Sequence, residues 1–361
     1  MKSHRLVSLS SVSERFSAGR LLGGVLLGAL AVAGAAGCSF SLSERAVCTD
    51  MECVPIIRND GGTSTLPDMA VYVDDPSKAG PFRTVSVDQA MPTNIGLAGD
   101  KVTLVVPSDD GTRISSKQAT YPLVLILPAR TVDPMQMKVY AERLASHGFI
   151  ACLLRAANEA NHAQYRTSVG QTLYYLTGDM ASMFKANLDK GKVGIVGHQL
   201  GGKIAFGLLL NNSSAVHAAF GIDPVNEPGN FDGLIDLGNV DTTSRKPIAL
   251  LGEPLSKVPP AGLTACAPAD QNYEKFYEAY KGSAISITFP GATLPDFVPG
   301  YVDSTCGTAT MGAAATQDLA VKYTTAYFQW TLLGKQRARE HLLGADFNQD
   351  KATYSLTSVN K

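Results

Sequence analysis

Neither sign of charge dominates this 361-residue chain: 31 Lys and Arg stand against 32 Asp and Glu, a formal net charge of −1. The cations are scattered, which excludes the basic face of a nucleic-acid binder, and no acidic tail suggests a solvating arm. Histidine is scarce, with six in all and only His341 after His217. No CxxC pair with matching histidines occurs, so no metal site is expected; no repeat period and no cofactor motif appear either. What remains is 45% hydrophobic and 17% charged, an ordinary globular composition with room for one large domain and a leader.

The leader is read from residues 1–37. Lys2, His4, Arg5, Arg15 and Arg20 precede an apolar run from Leu21 to Ala36, followed by Gly37-Cys38. The run is short and glycine-rich for a bilayer span, and a positive n-region, an h-region and a small-residue cleavage site make it a signal peptide. Ala35-Ala36-Gly37-Cys38 resembles a bacterial lipobox, which implies a lipid on Cys38 as the new N-terminus. Ser39 lacks the acidic character that favours inner-membrane retention in such signals. The expectation is therefore a cell-envelope protein held to the membrane through Cys38, on the outer membrane facing the periplasm or the surface.

Residues 38–68 contain Asn59-Asp60-Gly61-Gly62-Thr63-Ser64-Thr65, are polar and turn-rich, and read as a flexible tether. Export admits disulfides. Besides Cys38 the cysteines are Cys48 and Cys53 in the tether, Cys152 in an apolar strand, and Cys266 and Cys306 in loop-like segments. Two local pairs, Cys48 with Cys53 and Cys266 with Cys306, are the disulfide candidates; Cys152 reads as a buried free thiol.

From residue 69 to 361 short β-type runs alternate with helical stretches. The runs cover 101–106, 123–127, 149–154, 193–196, 218–222, 248–252 and 285–289; helical spacing recurs over 135–147, 170–188, 201–210 and 271–280. Uninterrupted apolar strands alternating with helices predict an α/β fold, a mostly parallel central sheet flanked by helices on both faces. Residues 316–333 place Leu319, Tyr323, Tyr327 and Trp330 on one helical face, and 335–343, with His341, read as a surface helix.

The segment Gly197-His198-Gln199-Leu200-Gly201-Gly202 follows the run at 193–196 and opens the helix at 201–210. It has the form G-x-Q-x-G. In G-x-S-x-G the glycines permit a sharp strand-to-helix turn, and the serine projects over the sheet edge as a nucleophile. A glutamine amide is neither basic nor nucleophilic, and it forms no acyl-enzyme.

With this turn, Gly80-Pro81-Phe82, Tyr121-Pro122-Leu123, Ser146-His147-Gly148, Asp223-Pro224-Val225 and Cys266-Ala267-Pro268, the chain resembles the chlorophyllase-like and dienelactone-hydrolase-like branch of the α/β-hydrolases. The resemblance runs from about Pro81 to the C-terminus and implies the α/β-hydrolase fold. It puts the triad-equivalent positions at Gln199, Asp223 and Leu294, so nucleophile and histidine are replaced while the acid remains. It puts the oxyanion-equivalent positions at Ala129, Arg130 and Leu200, beside Pro128, which has no N–H to donate.

Function is then expected to be that of a catalytically defective serine-hydrolase relative, tethered to the envelope, whose old cleft binds an apolar or ester-like ligand or a protein partner. Two rivals remain. One is an active esterase with a rearranged site, for which Ser213 and Ser214 are candidate nucleophiles on the wrong sheet edge; the other is a purely structural envelope component.

Overall fold

The computed structural model describes residues 74–178, 187–210, 215–228, 246–259 and 264–361, and the backbone strands at 46–49 and 52–55. The chain divides into two units, 1–68 and 69–361. In the first, β1 (Ala46–Thr49) and β2 (Glu52–Pro55) form an antiparallel hairpin within the stretch read as tether, with Cys48 and Cys53 as register partners. The side chains of both cysteines, the signal segment, Cys38, Ser213 and Ser214 lie outside the described residues.

The second unit is built on a nine-stranded sheet. Its strands are β3 (Arg83–Ala90), β4 (Lys101–Ser108), β5 (Tyr121–Leu127), β6 (Ile150–Leu153), β7 (Leu188–His198), β8 (Ala218–Ile222), β9 (Ile248–Gly252), β10 (Ala284–Thr288) and β11 (Thr357–Asn360). They lie in the order β11-β10-β9-β8-β7-β5-β6-β4-β3. The run from β10 to β6 is parallel, while β3, β4 and β11 are antiparallel to their neighbours.

Strand β5 shows why such runs are uninterrupted. Successive side chains point to opposite faces; Leu123, Leu125 and Leu127 join one core and Val124 and Ile126 the other. Helices α2 (His162–Thr177), α3 (Leu200–Leu210) and α4 (Tyr273–Ala279) cover the first face through Tyr165, Val169, Ile204 and Phe276. Helices α1 (Lys138–Ser146) and α5 (Ala313–Leu333) cover the second through Tyr140, Leu144, Tyr323, Tyr327 and Phe328. The expected α/β architecture is the one observed. Among the described residues no helix is long and apolar enough to cross a membrane.

Three readings need correction. The helix placed at 170–188 begins at His162, where the Asn161 side chain caps it by accepting from the Gln164 N–H at 2.9 Å, and ends at Thr177; Leu188 already belongs to β7. Strand β7 starts before 193, and a register shift beside Pro122 loops out its polar, mostly exposed early residues, which hide it from an apolar count. His341 is buried, with Nδ1 3.2 Å from Asp346, because the short C-terminal helices fold back on α5.

Cys266 and Cys306 are disulfide-bonded and Cys152 is a buried free thiol. The bond spans 40 positions of sequence. On chain-entropy grounds the Cys266→Ala/Cys306→Ala variant loses about 4 kcal/mol; its urea midpoint, compared with the native protein's, measures this.

Candidate functional site

Six parallel strands deliver their C-terminal ends to one edge, and the connection order reverses between β5 and β7, the place where α/β sheets open a crevice. Gln199 sits there, between β7 and α3, with φ 48°, the left-handed conformation a nucleophile elbow requires. Its N–H donates to the Ile222 carbonyl at 3.0 Å, and its carbonyl accepts from the N–H groups of Lys203 at 3.2 Å and Val225 at 3.3 Å. Close approach explains the glycines: a Cβ on Gly201 would stand 2.2 Å from the Leu127 carbonyl oxygen, and one on Gly202 would stand 2.6 Å from Cβ of Pro224. The turn is thus a complete elbow that presents a half-buried amide.

Leu294, after β10, is fully buried against Val225, Ala267 and Cys306. Its N–H donates to the Ser256 hydroxyl at 3.1 Å, and its carbonyl accepts from Nε2 of His198 at 3.0 Å. A carbonyl only accepts, so His198 donates from Nε2. Burial holds the His198 pKa down at about 4, opposed by that hydrogen bond, and the ring packs edge-on to Tyr301 at 5.9 Å. Histidine is therefore present beside the elbow but committed to the Leu294 turn. Its Nδ1 is buried and meets no hydrogen-bond partner among the described residues.

Asp223 follows β8 with φ 42° and donates its N–H to the Leu251 carbonyl at 2.8 Å. Its carboxyl is fully buried and meets no imidazole among the described residues; it faces Glu253, which follows β9 and is also fully buried. Burial, then the neighbouring Glu253 charge, pushes the Asp223 carboxyl well above the usual carboxylate range. Burial likewise raises Glu253, against hydrogen bonds from Ser256.

At the oxyanion-equivalent positions Ala129 is buried, whereas the Arg130 side chain is half-exposed and lies 3.6 Å from Glu227. Next to it Thr131, at φ 64°, donates its N–H to Glu159 at 2.9 Å. The Leu200 N–H opens the first turn of α3 with no hydrogen bond among the described residues. One helical turn on, the buried Lys203 ammonium reaches the Glu227 carbonyl at 2.8 Å and Nδ1 of His162 at 2.9 Å.

The structure thus brings Gln199, Asp223, Leu294, Ala129 and Leu200 to one edge. His147 lies elsewhere, buried among Asp74, Gln329 and the Lys78 carbonyl. Sequence reading missed Glu253, Ser256, Lys203, His162 and Tyr301. The one available signal was an acid directly after the apolar run at 248–252, the same strand-end position Asp223 occupies after its own strand. Among the described residues three candidate metal-ligand atoms come together only at Cys266, Asp303 and Cys306, and there the two sulfurs are bonded to each other.

Strand order, crossover pattern and elbow define an α/β-hydrolase. The family model named Chlorophyllase matches residues 103–291, more than half of the chain, and the chain belongs to the chlorophyllase family. Relatives include the chloroplastic chlorophyllase-1 of Citrus unshiu, 27% identical over 183 residues, which are 47% of this chain and 53% of that protein. The Citrus sinensis chlorophyllase-1 is 28% identical over 181 residues, 46% of this chain and 52% of its own length. The bis(hydroxyethyl) terephthalate hydrolase of Streptomyces coelicolor is 30% identical over 147 residues, 39% of this chain and 46% of the enzyme. The chain spans about half the length of these relatives.

Proposed function

We propose that this chain is a chlorophyllase-family α/β-hydrolase domain that has given up acyl transfer and uses the crevice over Gln199 to bind an ester-like or carbonyl-bearing ligand, held at the cell envelope through a lipid on Cys38. The observation that carries the first part is the amide at a fully formed elbow whose adjacent imidazole is bound to the Leu294 carbonyl. Acyl transfer needs a hydroxyl or thiol and a base that deprotonates it as it attacks. No hydroxyl or thiol stands at position 199 itself, and Ser256 is fully buried with its hydroxyl already bridging Leu294 and Cys306. Support for binding comes from the half-buried Gln199 amide and the open Leu200 N–H, donors that suit a carbonyl oxygen. Support for anchoring is the sequence Ala35-Ala36-Gly37-Cys38 behind an apolar run.

The test is direct. The native protein takes no label from a fluorophosphonate probe and hydrolyses p-nitrophenyl esters at the buffer rate, while mass spectrometry of protein purified from membranes finds diacylglycerol on Cys38. Labelling of the native chain, or turnover well above background, overturns the non-catalytic reading; an unmodified Cys38 in membrane-purified protein overturns the anchor.

A further inference from the structure

We propose that Asp223 and Glu253 form a proton-sharing latch beneath the elbow: one proton held between the two carboxyls keeps the Leu294 turn closed beside Gln199, and its loss releases that turn and widens the crevice. The inference goes beyond ligand binding and stands whether or not the chain turns over esters.

The latch follows from sheet geometry. Strands β8 and β9 are parallel neighbours, with Ile222 opposite Leu251, so Asp223, just past β8, comes level with Gly252, one residue short of Glu253, which follows β9. Both acids are fully buried. Among the described residues neither Asp223 oxygen nor Oε1 of Glu253 has a hydrogen-bond partner in good geometry; the backbone donor that approaches Asp223 is the Glu253 N–H, and the side chain it faces is the Glu253 carboxyl. Two bare carboxylates in a dry site repel, and three of their four oxygens lack a well-placed donor of the kind buried acceptors require. A single proton between them answers both costs at once.

The pair is wired to the elbow through the Leu294 turn. Oε2 of Glu253 accepts the Ser256 N–H at 2.9 Å; the Ser256 hydroxyl donates to the Cys306 carbonyl at 3.1 Å and accepts the Leu294 N–H at 3.1 Å. The Leu294 carbonyl in turn holds His198, the neighbour of Gln199. A move of Glu253 away from a charged Asp223 therefore pulls on Ser256 and through it on the Leu294 turn. The disulfide at Cys306 fixes the other side of that link.

The other titratable groups around the pair do not mask its titration. Lys257 is the nearby cation, and it is already paired with Glu274. Burial raises the Tyr273 hydroxyl far above its usual range, so it stays neutral, and His198 is neutral above about pH 4. Both carboxyls are held high, chiefly by burial. A carboxyl raised on folding adds stability that is complete at low pH and is lost as pH rises through its folded value. The latch is therefore shut in acid and opens towards alkaline pH.

Hydrogen exchange of the peptide spanning Leu294 reads the latch, each rate being divided by its intrinsic value at that pH. Between about pH 5 and about pH 9 the native protein loses at least about tenfold of that protection. The Asp223→Asn variant, neutral at every pH and able to hydrogen-bond Glu253, keeps high protection throughout. Unchanged protection in the native protein, or the same fall in Asp223→Asn, overturns the proposal. If that variant fails to fold, Glu253→Gln serves the same purpose, and infrared spectroscopy of the native protein decides independently. A protonated-carboxyl C=O band that persists at neutral pH is expected, and its absence overturns the shared proton.

Discussion

A variant carrying Gln199→Ser and Leu294→His together hydrolyses p-nitrophenyl acetate at least about a thousandfold faster than the native chain, whereas each single substitution stays within about tenfold of it. The asymmetry follows from how a triad works. Nucleophile and base act as a unit, and in a serine protease such as subtilisin the loss of the serine or histidine alone costs nearly as much as the loss of the whole triad; restoring one member of an absent pair should therefore restore little. The scaffold for both is in place. Position 199 already has the left-handed backbone that aims a side chain over the sheet edge, and the backbone of position 294 is pinned at both its N–H and its carbonyl. An imidazole at 294 also offers Asp223 the N–H donor it lacks, and a carboxylate so satisfied holds its base in the right tautomer. Adding Asp223→Asn to the double variant should then cost about a thousandfold or more again. Initial rates, with fluorophosphonate labelling localised to position 199, measure all four proteins. A folded double variant no faster than the native chain would sink the reading of 199 and 294 as a vacated nucleophile and base, and would move the defect to the oxyanion side, where Pro128 offers no N–H.

The elbow was legible because its residues are dictated by contact: a turn this tight leaves room only for hydrogen at Gly197, Gly201 and Gly202, and that demand is written in the sequence. The strands Ala218–Ile222 and Ile248–Gly252 were legible to the residue because both of their faces are covered, which leaves an unbroken apolar run. Edges hid the rest. Strand β3 alternates polar and apolar along a half-exposed rim, and β11 offers only Val359 as an apolar residue, itself half-exposed, so neither stands out. The pairing of Asp223 with Glu253 could not be read at all. It arises from the parallel register of two strands whose neighbourhood is a property of the sheet, not of the spacing between them in the chain. Asp223 was thus singled out by its position after the strand at 218–222, but its carboxyl neighbour Glu253 was not.

Gly197→Ala is expected to unfold the domain or to cost on the order of 4 kcal/mol or more, out of a total stability of roughly 5–15 kcal/mol. A Cβ there would stand 2.1 Å from the Gly201 carbonyl oxygen, 2.2 Å from its carbon and 2.5 Å from the Gly202 nitrogen. All three are backbone atoms, so no side chain can rotate out of the way. Nor can the turn itself relax, because Gln199 is tied to Ile222 and Val225 by hydrogen bonds and Gly201 already abuts the end of β5. Gly170→Ala supplies the contrast. It lies within α2, where the added methyl meets only Cδ2 of Leu208 at 3.7 Å, ordinary van der Waals contact. Replacing a glycine in a helix interior removes backbone freedom from the unfolded chain, and the expected gain is about 0.5–1 kcal/mol. Urea denaturation of the two variants beside the native protein gives opposite signs if the elbow is as tight as the structure has it. A folded Gly197→Ala protein within about 1 kcal/mol of native would mean that the turn opens readily, and the geometry assigned to Gln199 would fall with it.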